Sequence, residues 1–329
     1  MKEMTLAEAL RSALTEEMER DGKVFILGEE IGSYGGCFTV TRGMLETFGE
    51  KRIIDSPLSE SAIVGACVGA ALMGMRPVGE IMFSDEITIA MDQIVNAAAK
   101  ARYLHGGAAS APLVIRTAHG ATGRGVGAHH SQSLESWFAH VPGLIVVMPS
   151  TPADAKGLMK SSIRCDDPVI FFEPKMLYFV KGAVPDGEYL IPLGKADIKR
   201  EGTDVTAVAT GAMVPRVLKA AAALDQEGLS VEVVDPRTLY PLDKETILRS
   251  VEKTGRLVIV EESCKTGNFG GEVAAIVAEV AFGSLKGPIR RVAAPDTPIP
   301  ANTFLETLFV PDEKRIKEGI RSVYSQSRR

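Results

Sequence analysis

Short, unbroken apolar runs recur along this chain, each followed by a stretch of helical pattern, and that alternation constrains its fold more than any other feature. VFILG (24–28), PLVIR (112–116), LIVVM (144–148) and PVIFF (168–172) are β-rich and carry no polar alternation, so both faces of each strand must be covered. Helical patterns near 5–20, 61–75, 87–104 and 152–164 supply the cover. Strands separated by helices in this way imply a mostly parallel sheet with helices on both sides. The stretch 174–203 is rich in Pro, Gly and charge and reads as a connection between domains. The alternation then restarts with DVTAVAT (204–210), VEVV (231–234) and LVIV (257–260), with helical patterns to about 227, near 243–253 and near 271–282, and the chain closes on a Pro-punctuated loop and a terminal helix. A chain of 329 residues has room for two such cores. The expected organisation is an α/β domain over 1–178, a linker over 179–203 and a second, smaller α/β domain over 204–329.

Charge and composition narrow the functional classes. The net charge is −5 and no block of Lys or Arg stands out, which speaks against nucleic-acid binding. The longest uncharged apolar run, 62–75, is shorter than a membrane span and studded with Gly and Ala. It suits a helix packed closely on other backbone, such as a subunit interface. The N-terminus reads as an amphipathic helix with a capping box from Thr5 and Glu8, too acidic for a signal peptide. Cys37, Cys67, Cys165 and Cys264 are scattered and form no metal-ligand spacing, as expected of reduced thiols in a cytoplasmic protein.

Glu60 stands at the mouth of that apolar run, directly after Asp55-Ser56-Pro57-Leu58-Ser59. Desolvation there would favour the protonated carboxyl and let it exchange a proton near neutral pH. Thiamine diphosphate calls for such a group, because its aminopyrimidine must shift tautomer before its thiazolium carbon can lose a proton. The plainer reading is a solvated glutamate steadied by a helix dipole. The run Gly120-Ala121-Thr122-Gly123-Arg124-Gly125-Val126-Gly127 lacks the dinucleotide spacing and reads as a mobile loop at an active-site mouth. His129 and His130 follow it; adjacent histidines rarely share a metal, so they read either as surface histidines or as a proton donor presented by the loop.

Several longer segments carry a resemblance. LGEEIG (27–32), RIIDSPLSESAIVGACVGAALMGMRPVGEI (52–81), MDQIVNAAAK (91–100), HHSQSLESWFAHVPGLIVVMPSTPADAKGL (129–158), DDPVIFFEPKMLY (166–178), VEVVDPRTLYPLD (231–243) and APDTPIP (294–300) span essentially the whole chain. With them the chain resembles the beta subunits of the thiamine-diphosphate-dependent first component of 2-oxo acid dehydrogenase complexes: pyruvate, acetoin and branched-chain 2-oxo acid dehydrogenases. The resemblance implies a transketolase-like α/β architecture, with a pyrimidine-binding domain first and a transketolase C-terminal-like domain for assembly second. It also implies two alpha and two beta chains, with thiamine diphosphate shared between them. This chain has no Gly-Asp-Gly segment for diphosphate and magnesium, so the alpha subunit would carry that end. The product would pass to a lipoyl group on an acyltransferase component.

By position, the resemblance gives Glu60 the hydrogen bond to the aminopyrimidine nitrogen, Glu29 a place in the network beside it, and Met82 a packing role at the pyrimidine. It puts His130 near the entering lipoyl group. It implies a structural potassium held through backbone oxygens around Leu113, Ser162, Ile163, Cys165 and Asp167, with Cys165 where the family usually has aspartate. Two departures stand out. Glu86 replaces an aromatic residue that packs on the pyrimidine, a face worth about 0.5–1.5 kcal/mol beyond its burial, leaving Phe83 to cover for it or weakening cofactor binding. His129 stands where Gln or Tyr is common. The expected activity is oxidative decarboxylation of a 2-oxo acid, or acetoin cleavage, with reductive acylation of lipoyl groups. A branched-chain substrate, or an assembly subunit with a decayed site, are the other readings.

Overall fold

The computed structural model describes residues 1–325; the last four residues of the expected second domain, 326–329, lie outside the described residues. The chain forms two compact units, Met1–His119 with Trp137–Leu193, and Gly120–Ser136 with Gly194–Arg329. Both are α/β. Among the described residues no helix is long and apolar enough to cross a membrane.

In the first unit, β1 (Lys2–Thr5) and β8 (Lys181–Val184) form an antiparallel ribbon. The sheet consists of β2 (Val24–Gly28), β3 (Ile53–Asp55), β4 (Arg76–Phe83), β5 (Val114–His119), β6 (Ile145–Val147) and β7 (Val169–Pro174). These run parallel in the order β6-β7-β5-β4-β2-β3. The expected capping box starts the Leu6–Arg20 helix: Glu8 N–H donates to Thr5 Oγ1 at 3.2 Å, and Thr5 N–H to the Glu8 carboxylate at 2.7 Å. Two expectations shift. The β5 ladder begins at Val114, because Pro112 has no N–H to give. The pattern over 87–104 is not one helix but a 3₁₀ turn (Glu86–Ala90), a π turn (Gln93–Ala98) and a short α-helix (Ala101–Leu104). The Ala99 N–H reaches back five residues to the Ile94 carbonyl, and β-branched Ile87, Thr88, Ile89, Ile94 and Val95 weaken regular helix there.

β4 escapes a sequence reading because Pro77, Gly79 and Glu80 do not look like a buried strand. Their surroundings explain them. Glu80 pairs across to Arg116 on β5, and the Arg116 guanidinium grips Glu173 on β7 through Nε and Nη2 at 2.7 and 2.6 Å. Nη1 bonds Glu80, and the Tyr178 hydroxyl donates to Glu173 at 2.6 Å. All four are buried. Burial works against the charge on Arg116, but Glu173 and Glu80 more than offset it. Burial raises the Glu80 carboxyl, with Arg116 opposing. Gly79 serves packing: a Cβ there would lie 2.9 Å from Ile115 Cδ1 and 3.0 Å from Cys67 Sγ, so glycine lets the Glu60–Leu72 helix sit tightly on the sheet.

The second unit has β9 (Asp197–Arg200), β10 (Val205–Ala209), β11 (Val231–Asp235), a short β12 (Thr238–Tyr240), β13 (Leu257–Cys264) and β14 (Arg290–Ala294). The sheet order is β14-β13-β10-β11-β9, parallel except for β9 at its edge. Within 179–203, therefore, β8 pairs with β1 and β9 with β11. On β13, Glu261 is buried, accepts the Gly270 N–H and feels the charge of Glu135. Burial first, then Glu135, pushes its carboxyl up to about 8.

Two measurements check these networks. Arg116→Met strands two buried carboxylates and should cost about 3–5 kcal/mol in urea denaturation; a change below 1 kcal/mol would refute the pairing as drawn. Folded Glu261 keeps its proton up to about pH 8, whereas unfolded it loses it near 4.5. Its contribution is therefore full below pH 4.5 and lost as pH rises through about 8, at ~1.4 kcal/mol per pH unit. Glu261→Gln should remove that slope from a stability-versus-pH curve.

Candidate active site

Parallel sheets bind ligands beyond the carboxyl ends of their strands. In the first unit, the neighbouring strands β4, β2 and β3 all deliver side chains to that end. Glu29 directly follows β2. After β3 the chain turns through Ser56–Ser59 into the Glu60–Leu72 helix, which places Glu60 in its first turn. Met82 and Phe83 end β4, and Glu86 opens the next turn. The Asp55 carboxylate fixes the loop after β2 by accepting the Gly32 and Ser33 N–H groups at 2.6 and 3.0 Å. The structure thus brings Glu29, Glu60, Met82 and Glu86 to one end of three adjacent strands.

Glu60 is only 8% exposed, so the plainer reading of a well-solvated glutamate does not hold. Its helix start has no side-chain cap, and Ser61 instead donates to the Ile89 carbonyl at 2.7 Å. Glu29 is half-buried. Its carboxyl is raised by burial, then by Glu30, then by Glu60, so Glu29 and Glu60 interact. Met82, Phe83 and Glu86 are half-buried. Lys175 Nζ lies 4.8 Å from the centre of the Phe83 ring, and Phe38 meets that ring edge-on at 6.2 Å while stacking on Tyr178 at 4.2 Å. Phe83 is thereby braced within the unit. The charge of Glu86 is felt at Cys37, whose thiol is raised by burial and then by Glu80, Glu30, Glu29 and Glu86. A carboxylate-rich rim with a thioether and one braced ring can hold a proton against a ring nitrogen and shield an apolar ring face.

The five residues expected to hold potassium lie at the opposite, amino end of the sheet, around the starts of β5 and β7. There the Arg76 guanidinium donates to the Ile163 and Cys165 carbonyls at 3.0 and 2.9 Å and pairs with Asp166. The Leu113 carbonyl accepts the Val169 N–H, and the Ser162 carbonyl the Cys165 N–H. Asp167 pairs with Arg102 at 2.6 Å. A cation, Arg76, already sits on the Ile163 and Cys165 carbonyls, two of the backbone oxygens through which the resemblance would hold potassium, so this donor set does not fit the ion as it stands.

His130 belongs to the second unit. It is exposed, its N–H bonds the Gly127 carbonyl at 3.3 Å, and its Nδ1 lies 2.6 Å from the His129 carbonyl oxygen. His129 is exposed as well. The glycine run before them is not free. The buried Glu262 carboxylate accepts the Ala121 N–H, and the buried Glu306 carboxylate accepts those of Thr122, Gly123 and Gly125. No sequence signal marks these two glutamates, which lie far along the chain from the loop they bind.

Comparison with known proteins adds a second line of evidence. The transketolase pyrimidine binding domain family matches residues 2–181, and the transketolase C-terminal domain family residues 194–316. The chain is 48% identical to the acetoin:2,6-dichlorophenolindophenol oxidoreductase subunit beta of Cupriavidus necator, over 97% of each chain. It is 46% identical to the 2-oxoisovalerate dehydrogenase subunit beta of Bacillus subtilis, over 98% of this chain and 99% of that one. It is 44% identical to the pyruvate dehydrogenase E1 component subunit beta of Rhizobium meliloti, over 98% of this chain and 70% of that one. Among solved structures, a split-gene transketolase in an inactive beta4 tetramer superposes with a TM-score of 0.83 at 22% identity, covering 99% of this chain and all of that one, which supports the transketolase-like fold.

Because the Glu60 charge adds to burial and Glu30 in raising Glu29, Glu60→Gln should lower the Glu29 titration part of the way toward the ordinary glutamate value. A carbon-13 carboxyl titration by NMR reads this directly, and an unmoved Glu29 curve would contradict the pairing.

Proposed function

Because the chain belongs to the transketolase-like beta subunits of 2-oxo acid dehydrogenase first components, we propose that it works with an alpha subunit to decarboxylate a 2-oxo acid oxidatively, or to cleave acetoin. The acyl product passes to a lipoyl group on an acyltransferase component. Residues 1–178 act as the pyrimidine-binding domain, 204–329 as the assembly domain, and 179–203 join them. The working unit has two alpha and two beta chains, and the alpha chain holds magnesium and the diphosphate end of the cofactor. The four free cysteines suit a reducing cytoplasm.

Glu60 carries this reading: a buried carboxylate opening a helix at the carboxyl ends of three parallel strands. The residues around it fit the aminopyrimidine of thiamine diphosphate. Glu60 accounts for the contact to its ring nitrogen, Met82 and the braced Phe83 for the apolar packing, and Glu29 for a second carboxyl that retains its proton to higher pH. When bound, thiamine diphosphate supplies the carbon nucleophile. With the cofactor in place, Glu60 would be the group that shares a proton with the ring nitrogen. Glu29 would stand beside it as a second carboxyl of the same rim. Phe83 takes the aromatic packing that Glu86 cannot supply. Potassium is left out of this reading, since Arg76 supplies the positive charge at the turn where it was expected. His130 donates a proton to the lipoyl sulfur during acyl transfer.

The relatives named above act on acetoin, 2-oxoisovalerate and pyruvate at 44–48% identity to this chain. Pyruvate and acetoin are the primary reading, and 2-oxoisovalerate the second. Assaying all three with the reconstituted alpha–beta complex separates them. In that complex Glu60→Gln should lower turnover by about 100-fold or more. Unchanged turnover would instead make this chain an assembly subunit.

A further inference from the structure

The glycine run and Glu306 explain one another. Gly120, Gly123, Gly125 and Gly127 all have positive φ, at 77°, 72°, 69° and 84°. Successive turns of this kind aim consecutive backbone N–H groups into one concavity, which binds anions. Here the anion is a side chain. Glu306 Oε1 accepts the N–H groups of Thr122 and Gly123 at 2.9 and 3.2 Å, and the Thr122 hydroxyl at 3.4 Å; Oε2 accepts the Gly125 N–H. Glu262 takes the Ala121 N–H, and the Gly120 N–H closes the neck of the loop on the Gln132 carbonyl at 3.2 Å. The fit is close enough to exclude side chains. A Cβ on Gly125 would lie 2.5 Å from Thr303 N and 2.7 Å from Asn302 C, and one on Gly127 would lie 2.8 Å from Ala301 Cβ.

The helix that carries the carboxylate is turned inside out. In Thr303–Phe309 the only buried residue is Glu306, whereas Phe304, Leu305 and Leu308 are 69%, 48% and 59% exposed. Hydrophobic burial would rotate this helix the other way. The carboxylate in its cradle of amides is what fixes its orientation. His129 and His130 leave the same loop just after Gly127, and His130 bonds back to the Gly127 carbonyl.

We propose that Glu306 is the positioning residue of the histidine loop: its carboxylate, cradled by the amides of Thr122, Gly123 and Gly125, sets where His129 and His130 stand and so governs transfer to the lipoyl substrate. This rests on the lipoyl role given to His130 above. Both carboxylate oxygens are used as acceptors, so an amide cannot replace it. Glu306→Gln turns one acceptor into a donor facing backbone N–H groups.

The test uses the assembled alpha–beta complex. In Glu306→Gln, amide hydrogen exchange in peptides covering 120–127 should quicken by at least about tenfold. Its kcat/KM toward a free lipoyl domain should fall about tenfold or more, while reduction of an artificial dye acceptor, which bypasses the lipoyl group, stays at the wild-type rate. Should that variant not fold, Gly125→Ala expels the loop from the other side and is read in the same way. Exchange at the wild-type rate overturns the inference. So does fast exchange with normal lipoyl transfer in an enzyme where His130→Ala impairs that transfer. If His130→Ala itself leaves transfer intact, the lipoyl reading of His130 has failed, and the positioning role falls with it.

Discussion

A guanidinium buried between two carboxylates at the centre of a parallel sheet is the interaction on which the first unit depends. Arg116 ties β4, β5 and β7 together from inside, where hydrophobic contact alone would let neighbouring strands slide in register. Buried charge is costly, and removing one partner of such a set leaves the others uncompensated. The registers Glu80↔Arg116 and Ala118↔Glu173 therefore cannot shift by a residue without stranding a charge. That lock fixes the height at which β4 ends, and its end carries Met82 and Phe83 of the candidate site.

The site that results is rich in carboxylates. Glu29, Glu30, Glu80 and Glu86 all bear on the Cys37 thiol, and Glu60 bears on Glu29. Such crowding is unfavourable for folding alone. It suits a functional site, where carboxyl groups gather despite that cost. At the other end of the same sheet the charge problem is solved in the ordinary way, by Arg76 and Arg102 against Asp166 and Asp167.

Much of this was legible in the sequence, and the exceptions share a cause. Apolar runs marked β2, β6, β7, β10, β11 and β13, and the polar turn before a long uncharged helix marked Glu60. The capping box at Thr5 and Glu8 could be read because its two halves lie within one turn. β4 could not, because the partner that makes Glu80 acceptable there is 36 residues away. The 87–104 segment kept its apolar spacing while its backbone changed turn type, which periodicity does not report. The glycine run was visible but not its occupant, since Glu306 lies more than 180 residues beyond it. The resemblance supplied candidate roles for Glu29 and Met82 that their own surroundings in the sequence do not suggest, and gave the proton-donor reading of His130 a lipoyl group to act on. It also suggested an ion where the structure has Arg76.

Gly79 has no functional group and does not touch the candidate site, yet it sets the seat of the helix that begins with Glu60. The helix rests on the sheet where Cys67 and Ile63 meet that glycine. Glu60 stands seven residues before Cys67, about 10 Å along the axis. The helix is a stiff lever pivoting near Cys67, so an added methyl group at position 79 would be magnified at its tip. Misplacement by about 1 Å is enough to cost a reaction on the order of a hundredfold. The precision of the carboxylate is thus stored in the absence of a side chain one layer below it, at a position that performs no chemistry.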